Sequence, residues 1–228
     1  MGRGLELLTF SFSSGNNGSI NDELIKRAQL HLINIYPKKD LFAESLKTRN
    51  TISSKKNIPY NVNGIFCRLD WNLHKRDPAS VPMFRDLIYR SSLCKETTVH
   101  VDLFTAVTEA RAFDDVDQST SLDKVHAMQP SGFVFHESRC GSTLVANSLA
   151  AFSPNQNRVY SESGPPLDAA KLFDPSHADE SIQLLKDVIY MMGRTNLEEE
   201  KSLFFKVQSI GTKSLHVFQK GKSKDLSS

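Results

Sequence analysis

The stretch that most constrains this chain lies between Gly132 and Ala151. It opens with the apolar run Phe133-Val134-Phe135 and closes with Leu144, Val145, Ser148, Leu149 and Phe152 at helical spacing. Between them, His136-Glu137-Ser138-Arg139-Cys140-Gly141-Ser142-Thr143 is short, polar and broken by a glycine. The pattern predicts strand, tight loop, helix, which is phosphate-loop architecture. Gly141 lets the backbone approach an anion closely, and Ser142 and Thr143 open a helix whose unpaired N–H groups and dipole attract one.

Around this stretch the chain is ordinary. Its 228 residues suffice for one sizeable core with a smaller appended unit. A net charge of +2 excludes any strong pull toward nucleic acid or a membrane surface. No run is long enough to cross a bilayer, and the first residues show neither a secretory nor a myristoylation pattern. Asn17-Gly18-Ser19 is a glycosylation sequon, taken as chance without an export signal. The three cysteines, Cys67, Cys94 and Cys140, are far apart and odd in number, which suits a reducing compartment better than a disulfide framework. No paired Cys or His spacing suggests zinc. The compartment stays open, with the missing signal leaning toward the cytoplasm.

In chain order, residues 1–19 are rich in Gly, Ser and Asn and are expected to be flexible. Ile20, Leu24, Ile25, Ala28, Leu32 and Ile35 recur at steps of three and four, predicting one helix that Pro37 stops. A shorter helix is expected through Leu41, Phe42, Ser45 and Leu46, and a linker over 48–63. The polar block 64–78 surrounds Trp71, the only tryptophan, whose expected role is packing. Helices at Met83, Phe84, Leu87, Ile88 and at Leu103, Phe104, Val107, Ala110 complete a mainly helical region over 20–129. A connector over 114–123 and a boundary near Pro130 follow. Strands at 157–163 and 202–207 flank a helix carrying Ile182, Leu185, Val188, Ile189 and Met192, capped over 176–179 and stopped by Gly193. A last helix is expected over 211–220 and a polar tail over 221–228. Strands alternating with helices predict an α/β fold over 130–220, a three-layer, P-loop-type parallel sheet, incomplete at its end.

Against the pattern G-x-x-x-x-G-K-[ST], residues 136 to 143 keep the second glycine and the final hydroxyl but carry His136 for the first glycine and Ser142 for the lysine. A loop without the lysine that reaches a β/γ-phosphate suits a phosphosulfate better than a Mg²⁺-triphosphate. Arg139 supplies positive charge in its place, its planar fork matching a multi-oxygen anion.

Arg139-Cys140-Gly141-Ser142-Thr143-Leu144-Val145 resembles the phosphosulfate loop of sulfotransferases, most closely the tyrosylprotein-sulfotransferase-like branch. The resemblance implies a co-substrate, 3′-phosphoadenosine 5′-phosphosulfate, held by Arg139, Cys140, Gly141, Ser142 and Thr143 without a metal. Arg139 stabilises the transferring sulfuryl group, and Cys140 stands where the family has a serine. It also implies that Glu162, at the end of the strand after the loop helix, is the general base for a hydroxyl-bearing acceptor. The span 205–215 is similar to the family's next strand and helix, so the likeness covers about 130–220. The family's Arg-Asp motif and serine for the 3′-phosphate have no counterpart, and no Arg follows Arg194. A C-terminally truncated relative is therefore expected. The family has Golgi and cytosolic members.

Alternatives follow from the same residues. Cys140 at a helix start has nucleophile character, but no Arg follows within the helix as a cysteine phosphatase would need. His136-Glu137 lacks the second His of a zinc protease. Lys206, Lys213, Lys220, Lys222 and Lys224 are expected on a solvated surface. Three function classes stand: a sulfotransferase, a catalytically inactive binding or interaction protein, and a P-loop nucleotide-binding protein of NTPase or kinase type.

Overall fold

A computed structural model describes residues 17–38, 60–116, 124–137, 139–172, 178–209, 211 and 218. The expected flexible segment at 1–19, the helix at 41–46, most of the linker at 48–63 and of the connector at 114–123, the cap at 176–177, the last helix and the polar tail lie wholly or largely outside them.

The region expected to be mainly helical is corrected: it holds a three-stranded antiparallel sheet beside its helices. Helix α1 (Asn17–Lys26) ends early, because Ala28 takes a left-handed φ of 52°. Gln29 N–H then donates to Leu24 O and Ala28 N–H to Ile25 O, the Schellman closure of a helix. The chain turns into strand β1 (His31–Pro37) instead of continuing the helix. Leu32 and Ile35 are both buried because the register slips between Leu32 and Asn34, so one extra residue separates them. That bulge turns a strand's period of two into a step of three, which is why the sequence imitates a helix there. Strand β2 (Val62–Cys67) pairs with β1 on one side and with β3 (Val99–Asp102) on the other.

Asp70 caps helix α2 (Trp71–Arg76) by accepting from Asn72 N–H. Trp71 is buried as expected, with Tyr160 edge-on at 5.1 Å and the Arg158 guanidinium over its ring at 5.1 Å. Helix α3 (Phe84–Arg90) follows, and helix α4 (Leu103–Asp114) is capped by Asp102, which accepts from Thr105 N–H. Cys67 and Cys94 form a disulfide, with Cα atoms 4.9 Å apart. The expectation of reduced, unpaired cysteines is corrected: the end of β2 and the turn at 92–94 meet only in the folded sheet.

The second half is an α/β layer. Strands β5 (Pro130–Val134), β6 (Asn157–Ser161) and β8 (Ser202–Lys206) form a parallel sheet in the order β5-β8-β6. Helix α5 (Ser142–Phe152) crosses from β5 to β6, helices α6 (Gly164–Ala169) and α7 (Ala178–Gly193) lead onward, and β8 returns between the first two strands. A two-stranded ladder of β4 (His126–Ala127) and β7 (Arg194–Thr195) ties the end of α7 to the entry of β5. Gly193 is required there by close approach, since a Cβ would lie 2.5 Å from Met128 O.

The chain is thus mixed α/β with helices and a parallel sheet. One apolar core runs from Ile25 through Phe66, Trp71, Tyr160 and Leu184 to Phe218. A smaller cluster of Ala146, Ala150 and Val159 seats α5 on the sheet. The helix expected at 142–152 is present, but Ala146 and Ala150 face inward while Leu144, Val145 and Phe152 are exposed.

Candidate functional site

The parallel strands end together. Val134, Ser161 and Lys206 lie in register, so the loop after β5, the turn after β6 and the end of β8 share one edge. In open parallel sheets this carboxyl edge is where ligands bind.

Each strand contributes. After β5 the chain runs through His136 and Arg139 to Gly141, whose φ of 82° makes the left-handed turn into α5. A Cβ on Gly141 would meet nothing within 4 Å, so the glycine is needed for its dihedral and leaves open space beside the helix start. Among the described residues no side chain caps this helix, and while Leu144 N–H donates to Gly141 O, the N–H groups of Ser142 and Thr143 are open to a ligand or solvent. Arg139 also has a positive φ, 61°, as does Glu162 after β6, at 55°. Two non-glycine residues in this conformation at one edge mark strain that the surrounding structure enforces. At Glu162 the enforcement is visible: its N–H donates to Lys206 O at 2.8 Å and its carbonyl accepts from Gln208 Nε2 at 3.3 Å.

Lys206 is the centre of the group. Its side chain is 1% exposed, and its ammonium donates to a Glu162 carboxylate oxygen and to Thr143 Oγ1 at 3.2 Å. The expectation of a solvated lysine is corrected here. Residues 204 and 206 share a face of β8, and Phe204 packs against the cluster under α5, so Lys206 is carried to the start of that helix. Strand parity was the available signal, and the charge of the side chain hid it.

His136 faces the same carboxylate, with Nε2 3.9 Å from Glu162 Oε1 and its side chain 8% exposed. Its Nδ1 lies 2.8 Å from Glu137 O, which can only accept, so Nδ1 carries the proton and a neutral ring leaves a lone pair on Nε2. That nitrogen is buried with no hydrogen-bond partner among the described residues. An ordered water or a ligand can supply the missing partner of such an atom.

The structure therefore brings Thr143, Glu162, Lys206 and His136 together. Arg139 and Cys140 are exposed on the loop, outside that contact group, and Ser142 is buried at the helix start. No group of three or more His, Cys, Asp or Glu among the described residues is placed to hold a metal ion. No described helix is long and apolar enough to cross a membrane.

A separate cavity of about 320 Å³ opens between Arg111, Asp114, His126 and Tyr190. Two of its charges are already committed: Arg111 pairs with Asp187 at 2.8 Å and Asp114 with Arg194 at 2.7 Å. Chemistry is better supplied at the sheet edge, where a helix start, a buried cation and an unsatisfied imidazole converge. No family model, no curated protein and no solved structure matches this chain.

Proposed function

We propose that this chain is a sulfotransferase-like protein with a P-loop-type site, which binds 3′-phosphoadenosine 5′-phosphosulfate and transfers its sulfuryl group to a hydroxyl. The observation that carries the reading is the buried Lys206 ammonium, held between Thr143 at the helix start and Glu162 at the end of β6. An anion seated on the open first turn of α5 meets backbone N–H groups and the helix dipole. Lys206 adds a full charge from below, in a setting where water is largely excluded and charge-assisted hydrogen bonds are strong. Arg139, exposed on the loop, is free to close over a sulfuryl group from the solvent side. Glu162 then accepts the proton of the acceptor hydroxyl as its oxygen attacks sulfur and the sulfur–oxygen bond to phosphate breaks.

A second reading has one observation in its favour. The loop lacks the lysine of nucleotide triphosphatases, but Lys206 supplies an ammonium 3.2 Å from Thr143 Oγ1. A nucleotide phosphate without sulfate would use the same groups.

Calorimetric titration with 3′-phosphoadenosine 5′-phosphate and, separately, with ATP and Mg²⁺ divides the two, followed by radiolabelled sulfate transfer to hydroxyl acceptors. Tight binding of the first ligand, weakened about 10-fold or more by Arg139→Ala, is the expected result for loss of a charge-assisted contact. Binding of ATP alone, indifferent to Arg139→Ala, would overturn the sulfotransferase reading.

A further inference from the structure

We propose that Glu162 and a bound oxyanion compete for Lys206, so that the site releases its carboxylate only when the anion is seated. The inference rests on reading the start of α5 as an oxyanion site, and it adds an order of events to that reading.

Three observations lead to it. First, the only acceptors that Lys206 Nζ contacts among the described residues are Glu162 Oε1 and Thr143 Oγ1. Thr143 sits in the first turn of α5, so the lysine already touches the position an anion would occupy. Second, Glu162 is anchored through its backbone, by the bonds to Lys206 O and from Gln208 Nε2, and its φ of 55° fixes where the side chain starts. The Glu162 backbone is therefore held independently of the ion pair. Third, the Glu162 side chain is 21% exposed while that of Lys206 is 1% exposed. Water can replace the lysine at Glu162, and nothing but a ligand can replace Glu162 at the lysine.

While it holds the Lys206 ammonium, the Glu162 carboxylate oxygen is occupied by that contact. An oxyanion on the helix start offers Lys206 a second partner of the same sign and draws Nζ toward Thr143. Glu162, whose Oε1 lies 3.9 Å from His136 Nε2, then loses its counter-charge. The empty site is thereby held inactive, and the anion is the first ligand in.

The test is a double-mutant cycle on the full chain, with inorganic pyrophosphate and 3′-phosphoadenosine 5′-phosphate as the titrated probes. Removing the competitor by Glu162→Gln should tighten probe binding by about 5- to 10-fold, the loss of one ion pair of about 1 kcal/mol. Lys206→Met should weaken it by at least about 10-fold. In Lys206→Met/Glu162→Gln the tightening should vanish, leaving the affinity of Lys206→Met alone. Glu162→Asn, whose residue tolerates a left-handed φ, repeats the arm should the glutamine variant fold poorly. Unchanged or weaker binding in both Glu162 variants would overturn the competition while leaving the oxyanion site standing. So would equal tightening in the presence and absence of Lys206, which would mean plain charge repulsion. Failure of wild type and every variant to bind either probe would overturn the oxyanion site and the competition together. Binding that appears only in the Glu162 variants with Lys206 present would support the competition most directly.

Discussion

Arg158 and Lys206 are both cations buried in the same parallel sheet, on neighbouring strands, yet their surroundings differ in kind. Arg158 is 2% exposed and its terminal nitrogens are taken: one donates to Arg194 O at 2.8 Å, the other to Thr195 Oγ1 at 3.0 Å and to Glu200. Glu200 is fully buried and pairs with Lys75 at 2.8 Å; burial alone would raise its carboxyl, but the two cations hold it below the ordinary carboxylate range. Trp71 closes over the guanidinium. Lys206, by contrast, has a partly exposed carboxylate for a partner and lies beside an uncapped helix start. The first arrangement holds elements together, and the second keeps a place for something else. A buried charge becomes a candidate for chemistry when its neighbours have bonding capacity left over.

The comparison breaks first on stability. Glu200→Ala leaves Arg158 buried without its carboxylate, and a loss of about 3 to 5 kcal/mol is expected in urea unfolding. A loss below about 1 kcal/mol would mean that the Arg158 cluster is not the structural tie described here.

The next effect concerns a second tie remote from the site. Cys67 and Cys94 close a loop with a sequence separation of 27. Reduction, or Cys94→Ala, should lower stability by roughly 3 to 4 kcal/mol on chain-entropy grounds while leaving anion affinity unchanged. A reduced protein with the same unfolding midpoint would remove the disulfide from the account.

The closed cluster is also ringed by histidines kept neutral. Burial lowers His74 to about 4, and burial, then Arg158 and Arg68, lowers His31 well below the ordinary imidazole value. Because the unfolded chain binds these protons near 6.5 and the native chain does not, stability is full above that pH and falls as pH drops toward 4. His74→Gln should flatten the fall by about 3 kcal/mol between pH 7 and pH 4, read as the difference from wild type in urea midpoints. Parallel curves for the two proteins would sink the assignment to His74.

The smallest effect sharpens the contrast most. Lys206→Met leaves Glu162 able to reach water, so the change in stability should stay within about 1 kcal/mol although the side chain is buried. A loss as large as that of Glu200→Ala would make Lys206 a structural cation and erase the distinction between the two regions.

Local pattern carried part of this in the sequence. The run 132–152 was legible as strand, loop and helix because its apolar periodicity changes within one short span and Gly141 sits where a left-handed residue is needed. Glu162 was legible as a strand end, and the helix over Ala178–Gly193 was legible from its stripe and its closing glycine. The antiparallel sheet was not, because the bulge in β1 spaces Leu32 and Ile35 as a helix would and an alanine, not a glycine, ends α1. Nor was the disulfide, whose cysteines belong to separate elements.

By itself, then, the sequence determined those elements whose signals lie within a turn or a strand: the strand and loop that begin the 132–152 run, the glycine in that loop and the helix that follows. Tertiary structure alone decided that Lys206 belongs to the site. It lies 63 residues from Thr143 and 44 from Glu162 in the chain, and only the insertion of β8 between β5 and β6 brings its ammonium to both. Periodicity tells which face a residue occupies, while the order of strands in a sheet tells what stands opposite, and that order is set by burial of the whole core.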